Sequence, residues 1–187
     1  MRLRILLVMM AFLVGACQYS ATVREELGRG FVDLQGARVV LKKDIGVAAG
    51  RARVYIQDGG PDARQARVRS SGFDSFRPSC AFEIDSVDHP GVTISADSFL
   101  ITRVQATVVE VVSLTPVQVA GLRLTGAGGI DGGPMLYSGY HFWLASEKQP
   151  DVRRMTCYGV YAESGELYPP TLAEIRRALR GVAEIEF

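Results

Sequence analysis

The sequence predicts a mainly β domain, either an antiparallel sandwich or one curved sheet, with a single C-terminal helix packed on it; an α+β arrangement is the alternative. Two patterns predict it. Runs in which apolar and polar residues alternate recur along the chain, separated by Gly, Pro and Asp clusters, as half-buried strands require. Helix start and stop signals coincide most clearly after Pro169-Pro170, near the C-terminus.

In chain order, residues 17–36 read as a tether and lead-in, with a short helix around Val23–Leu27 ended by Gly28. ARVVLK (37–42) reads as a strand, joined through a Gly46–Gly50 loop to a neighbouring strand. In that neighbour Ala52, Val54 and Ile56 alternate with Arg51, Arg53, Tyr55 and Gln57, and Asp58-Gly59-Gly60-Pro61 ends it. Residues 58–78 then form an unusually long, polar, Arg-rich connection. Cys80, Phe82 and Ile84 alternate with Ala81, Glu83 and Asp85, which puts the cysteine on the inward face of a strand.

Phe99–Ser113 is rich in Val, Ile and Thr and far exceeds the usual five or six residues of a strand, so a bend or bulge is expected near Gln105–Thr107. After a break at Pro116, Val117–Thr125 reads as a further strand. MLYSGYHFWLA (135–145) is apolar on both alternating faces and suits a central strand covered on both sides. A SEKQPD turn leads into RRMTCYGVY (153–161), its expected antiparallel partner. Thr171 reads as a helix N-cap, Glu174 completes a capping box, and Leu172, Ile175, Leu179 and Val182 share a face. Gly181 sits where a C′ glycine belongs, and VAEIEF resumes alternation as an edge strand. Residues 37–187 therefore read as one domain.

The N-terminus predicts a compartment. Arg2 and Arg4 precede an uncharged run from Ile5 to Val14, about half the roughly 20 residues that a membrane span needs. A positive start, a short apolar core and small residues at 15–16 make residues 1–16 a signal peptide. Val14-Gly15-Ala16-Cys17 resembles the lipobox of bacterial lipoproteins. The resemblance implies that Cys17 becomes the mature N-terminus and carries a diacylglyceryl thioether and an N-acyl chain, the palmitate-type lipid being the only added group expected. Each buried methylene contributes about 0.8 kcal/mol, so such chains tether a protein stably without spanning the bilayer. Cleavage by ordinary signal peptidase at the same bond is the alternative. Gln18 after the cysteine implies the periplasmic side of the outer membrane, with the inner membrane second. RVYIQ, HFWL followed by KQPDV, and PTLAEIRRAL are similar to segments of envelope lipoproteins of Gram-negative bacteria to which no activity is attached.

Removing residues 1–16 leaves enough chain for one full core and too little for two. The formal charge of +1 becomes −1 once Arg2 and Arg4 leave, which argues against nucleic acid as a partner. With Cys17 acylated, Cys80 and Cys157 are an even pair in a disulfide-permissive space, the alternative being two buried thiols. A bridge would close a loop of about 76 residues, worth about 4 kcal/mol in the chain-entropy account.

No motif brings chemistry. GAGGIDGG (126–133) has Asp131 where a dinucleotide fingerprint needs its last glycine, and it leads into a strand, so it reads as a hairpin loop. His89 precedes Pro90-Gly91 as a turn residue; His141 lies in the aromatic strand and reads as a half-buried core histidine before a ligand. Two distant histidines make no metal site. Asp85, Asp88, Asp97 and Glu110 are scattered, and no nucleophile elbow exists.

Arg51, Arg53, Arg64, Arg67, Arg69 and Arg77 cluster in or beside the long connection, and their planar forks suit phosphate or carboxylate. A solvated loop balanced by Asp58, Asp62 and Asp74 is the plainer reading. The expectation is a non-enzymatic, lipid-anchored periplasmic domain with a structural or protein-interaction role in the envelope. Second comes a module binding lipopolysaccharide or peptidoglycan through loop 58–78, with Arg64, Arg67, Arg69, Arg77 and His141 as its contacts. A cell-wall hydrolase is third.

Overall fold

The computed structural model describes residues 20–26, 30–58, 66–69, 72–87, 89–112, 118–119, 122–123 and 135–187. The strands are β1 (Val23–Arg24), β2 (Phe31–Val32), β3 (Arg38–Leu41), β4 (Ile45–Val47), β5 (Arg53–Gln57), β6 (Arg67–Arg69), β7 (Ser79–Ile84), β8 (Val92–Ile94), β9 (Asp97–Val112), β10 (Gln118–Val119), β11 (Leu122–Arg123), β12 (Met135–Ala145), β13 (Val152–Tyr158), β14 (Ala162–Glu163) and β15 (Ala183–Glu186). The helix α1 spans Leu172–Leu179. Cys17, Arg64, Asp62, Asp88 and the 126–133 glycine cluster lie outside the described residues.

One antiparallel sheet dominates, in the order β15-β3-β9-β12-β13-β7-β5-β6, with β14 added to the end of β12. The helix touches β5 and β7 near one end of that order and β15 at the other. One short helix can do so only because the sheet curls, so the curved-sheet expectation holds. The helix is locally specified as read from the sequence. Thr171 Oγ1 accepts from Glu174 N (3.2 Å), and Glu174 Oε2 accepts from Thr171 N (2.8 Å), a complete capping box. Gly181 takes a left-handed φ of 71°, which ends the helix and turns the chain into β15. Leu172, Ile175, Ala178 and Leu179 are buried against the sheet.

The inner face of the sheet carries the core. Val104, Phe142, Met155, Phe82 and Val54 form one cross-strand row; Tyr140, Cys157, Cys80, Ile56 and Val68 form the next. Cys157 stands directly opposite Cys80 with Cα atoms 4.0 Å apart and sulfurs at bonding distance.

Several expectations fail for reasons of long-range pairing. The 23–27 segment is not a helix: Val23–Arg24 pairs with Phe31–Val32, and Ala21 N bonds Val104 O (2.8 Å). A helix of five residues cannot stabilise itself, whereas Val23 and Leu34 gain full burial in the core as extended chain. ARVVLK does not neighbour the 51–57 strand; β3 lies between β9 and β15. The Gly46–Gly50 connection contains β4, which pairs with β8 and sends Ile45 and Val47 into the core. The 117–125 segment contains two two-residue strands, β10 and β11, paired with each other, in place of one.

The irregularities of β9 flank the expected site near 105–107. The register against β12 slips at Thr102 and Val111, leaving 103–110 regular. At the first slip the extra residue's own side chain, Thr102 Oγ1, donates to Trp143 O (3.2 Å) across the strands. The 58–78 connection also carries β6, paired with β5, so Arg67 and Arg69 are strand residues. The 135–145 and 153–161 runs do form the expected hairpin, and the final residues do form the edge strand β15.

Candidate functional site

Alternation that sends every second residue inward sends the intervening ones to the outer face, and register aligns these into rows. The first row is Arg103, Trp143, Arg154, Glu83 and Arg53, across β9, β12, β13, β7 and β5. The second is Gln105, His141, Thr156, Ala81, Tyr55 and Arg69; the third is Thr107, Gly139, Tyr158, Ser79, Gln57 and Arg67. Among the described residues, this face gathers Arg53, Arg103, Arg154, Glu83, His141 and Trp143.

Glu83 is the hinge of the first row. It stands between two arginines in register, and only 6% of its surface is exposed. Arg154 donates from Nε (3.0 Å) and pairs through NH2 (2.9 Å) with Oε2, while Arg53 Nε lies 3.4 Å from the same oxygen. Thr156 Oγ1 donates to Oε1 (2.5 Å). Burial alone would push the Glu83 carboxyl up, but the bonds from Arg154 and Thr156 and the charges of Arg53 and Arg154 hold it below its ordinary value. Glu83 is therefore ionised.

That ionisation fixes His141. Because the Thr156 hydroxyl proton is given to Glu83, His141 Nδ1, 2.8 Å from Thr156 Oγ1, must be the donor of its bond. Burial first, then the nearby charge of Arg154, lowers the His141 pKa from 6.5 to about 4, overriding the opposing pull of Glu83. At neutral pH the ring is uncharged and Nε2 keeps its lone pair.

Trp143 collects cations. The guanidinium carbons of Arg103, Arg153 and Arg154 lie 4.8, 5.2 and 5.4 Å from its ring centre, and its Nε1 donates to Gln105 Oε1 (3.2 Å). An extra residue in β13 between Val152 and Arg154 brings both Arg153 and Arg154 near this ring. Arg153 also reaches Asp85 at 3.8 Å, with both groups more than half exposed.

The far half of the face is closed. Phe73 packs on Tyr55 (5.0 Å between centroids) and Tyr137 (5.6 Å), and Tyr137 also meets Tyr158 and Tyr161. Gln57 ties the covering segment down: its Nε2 donates to Asp74 O (2.8 Å) and Arg77 O (3.0 Å), and its Oε1 accepts from Asp74 N (2.9 Å). Burial holds the Tyr137 and Tyr158 hydroxyls above their ordinary pKa, so they remain neutral. Gly139 is needed beneath Tyr158, since a Cβ there would lie 2.8 Å from that ring and collide with the Cys157 backbone.

The structure divides the residues nominated from sequence. Arg67 and Arg69 end two rows of the outer face on β6 and are exposed. Arg77 is elsewhere, 3.6 Å from Asp58, so it does not join them. His141 does belong to the face, between Gln105 and Thr156. Sequence reading missed Glu83, Arg103, Arg154 and Thr156 as a group, because only strand pairing brings them together. His89 is a turn residue as expected, with Nε2 2.8 Å from Arg51 O and Nδ1 accepting from Gly91 N.

A hollow of about 710 Å³ lies by the β12–β13 turn, lined in part by Arg38, Asp97, Ser98, Ser146 and Lys148. Several of its polar groups are already bonded: Asp97 Oδ2 accepts from Ser146 Oγ (2.6 Å) and from neighbouring Gln149 Nε2 (3.1 Å), and Arg38 donates to Ser98 Oγ (3.3 Å). These bonds hold the turn, so the outer face is the better candidate. No known protein family, curated protein or solved structure matches this chain.

Proposed function

We propose that this protein is a lipid-anchored component of the bacterial envelope, acylated on Cys17, whose domain works without catalysis as an interaction module. Its ligand or partner presents carboxylates or phosphates, and it docks on the open half of the outer face. The observation that carries the reading is the gathering of Arg103, Arg153 and Arg154 around Trp143. Three guanidinium groups held near one ring are preorganised, so an anion meets forks whose rotamer freedom is already reduced. Arg53, Arg67 and Arg69 continue the positive charge across β5 and β6.

This reading moves the binding surface from the 58–78 connection to the sheet. The test is binding of purified lipopolysaccharide and peptidoglycan to the acylated protein at low and physiological salt. Binding should weaken with salt, because exposed charges are screened beyond about 8 Å at physiological ionic strength. Arg103→Gln with Arg153→Gln should lower affinity by tenfold or more, and Arg77→Gln should leave it unchanged. Wild-type protein that shows no salt-sensitive binding to either polymer would retire the ligand, leaving a purely structural role. Incorporation of labelled fatty acid, lost in Cys17→Ser, tests the anchor separately.

A further inference from the structure

We infer that the β1–β2 ribbon and the upper end of β9 lie directly against the lipid surface, with Phe31 and Val108 in the interfacial layer. The inference rests on the acylation of Cys17 proposed above, and it follows from how little chain separates that residue from the folded domain. Ala21 is already fixed to the sheet through its bond to Val104 O, and Ser20 Oγ accepts from Val104 N (3.1 Å). Four residues fully extended reach about 14 Å, so an acylated Cys17 holds Ala21 within that distance of the lipid. That tether is too short for a long stand-off.

The surface around Ala21 fits such a neighbour. Three residues on, Arg24 faces the Phe31 ring at 5.8 Å, and Phe31 is 65% exposed. Along β9, Val108 lies about 13 Å beyond Val104 at 3.3 Å per residue, on the same side of the strand, and it is 60% exposed. Among the described residues no strand pairs with the β12-distal edge of β9 beyond Val104, since β3 pairs only with Asp97–Leu100. Large exposed apolar side chains within reach of the anchor are what an interfacial contact needs. The Arg24 guanidinium beside Phe31 supplies a cation that suits headgroup phosphates.

The test uses the full acylated chain, its acylation established by intact mass, in phosphatidylethanolamine–phosphatidylglycerol vesicles with brominated acyl chains. Trp143 is the only tryptophan in the chain, so Trp143→Phe gives a silent background for Phe31→Trp, Val108→Trp and Val87→Trp. Val87 is a control: it is 57% exposed and lies beyond the end of β7, three strands from β9. Tryptophan at 31 and 108 should be quenched at least threefold more than at 87. If Trp143→Phe does not fold, the same three positions are read as increments over the wild-type signal. Equal quenching at all three, or none, on protein of acylated mass overturns the inference while leaving the anchor intact. Protein of unacylated mass overturns the anchor, and the inference with it.

Discussion

Acid should weaken this fold before its carboxylates are neutralised, and His141 is the reason. The folded ring has a pKa of about 4 against 6.5 for an unperturbed histidine, chiefly because it is buried and secondly because it lies near Arg154. A depressed folded value means the unfolded chain takes up the proton first. The contribution to stability is therefore fully present above pH 6.5 and is lost as pH falls towards 4. Were the whole difference realised, the loss at pH 5 would be about 2 kcal/mol. The ring is only partly buried and keeps some solvent screening, which brings the expected loss to about 1 kcal/mol. Protonation must also add a positive charge beside Arg154 and Arg53. His141→Asn is the matched variant, since its amide nitrogen can take the place of Nδ1 and still donate to Thr156 Oγ1. Urea unfolding of both proteins at pH 7.5, 6.5, 5.5 and 5 gives the comparison. The wild type should lose about 1 kcal/mol more than the variant across that range. Parallel curves would show that His141 does not titrate differently in the two states, and the reading that burial holds the ring neutral would fail.

Two further expectations concern the scaffold. Thr171→Ala should cost about 1 kcal/mol in urea unfolding, because it leaves Glu174 N without its capping oxygen; an unchanged midpoint would deny the cap any energetic role. Replacing Cys80 and Cys157 together by alanine should cost about 2–5 kcal/mol, and mass analysis of the wild-type protein, made under oxidising conditions, should show no alkylatable thiol at either position.

What the sequence made legible was what neighbours along the chain decide. The Thr171–Glu174 capping box, the alternation of β5, and the β12–β13 hairpin across its short turn are all local, and all are found. Partners distant in sequence were not legible. ARVVLK carries a clear strand pattern, yet nothing in its own residues says that it pairs with Asp97–Leu100 and Ala183–Glu186. Glu83 shows the same limit for the site. Alternation marks it as outward-facing, which normally means solvated, and only the register reveals an arginine on each side. Its buried, ionised state is a property of three strands together. Arg67 and Arg69 were visible as charge, but their place on a sheet face depends on a three-residue strand too short to announce itself.

The Arg53–Glu83–Arg154 group poses a choice between stability and function that mutation can resolve. Only 7% of the Glu83 side chain is exposed, against 19% for Arg154 and 42% for Arg53, so the desolvation cost falls mainly on the carboxylate. Removing that charge alone, as in Glu83→Gln, leaves two arginines facing each other across a neutral amide. This should cost about 2–3 kcal/mol, below the 3–5 kcal/mol of a fully buried pair because Arg53 can turn to water. Replacing all three by apolar residues, Arg53→Met, Glu83→Leu and Arg154→Met, removes the desolvation cost with the attraction. Stability should then lie within about 1 kcal/mol of the wild type or above it. Thr156 and His141 need not be orphaned by the change. With no carboxylate to take its proton, Thr156 can donate to His141 Nδ1, and the ring shifts its own proton to Nε2. Denaturant midpoints for the single and triple variants, set beside their binding to anionic polymer, separate the roles. A triple variant that folds as well as wild type but no longer binds places the charges in recognition. A triple variant as unstable as Glu83→Gln would instead make them part of what holds the sheet in its curl.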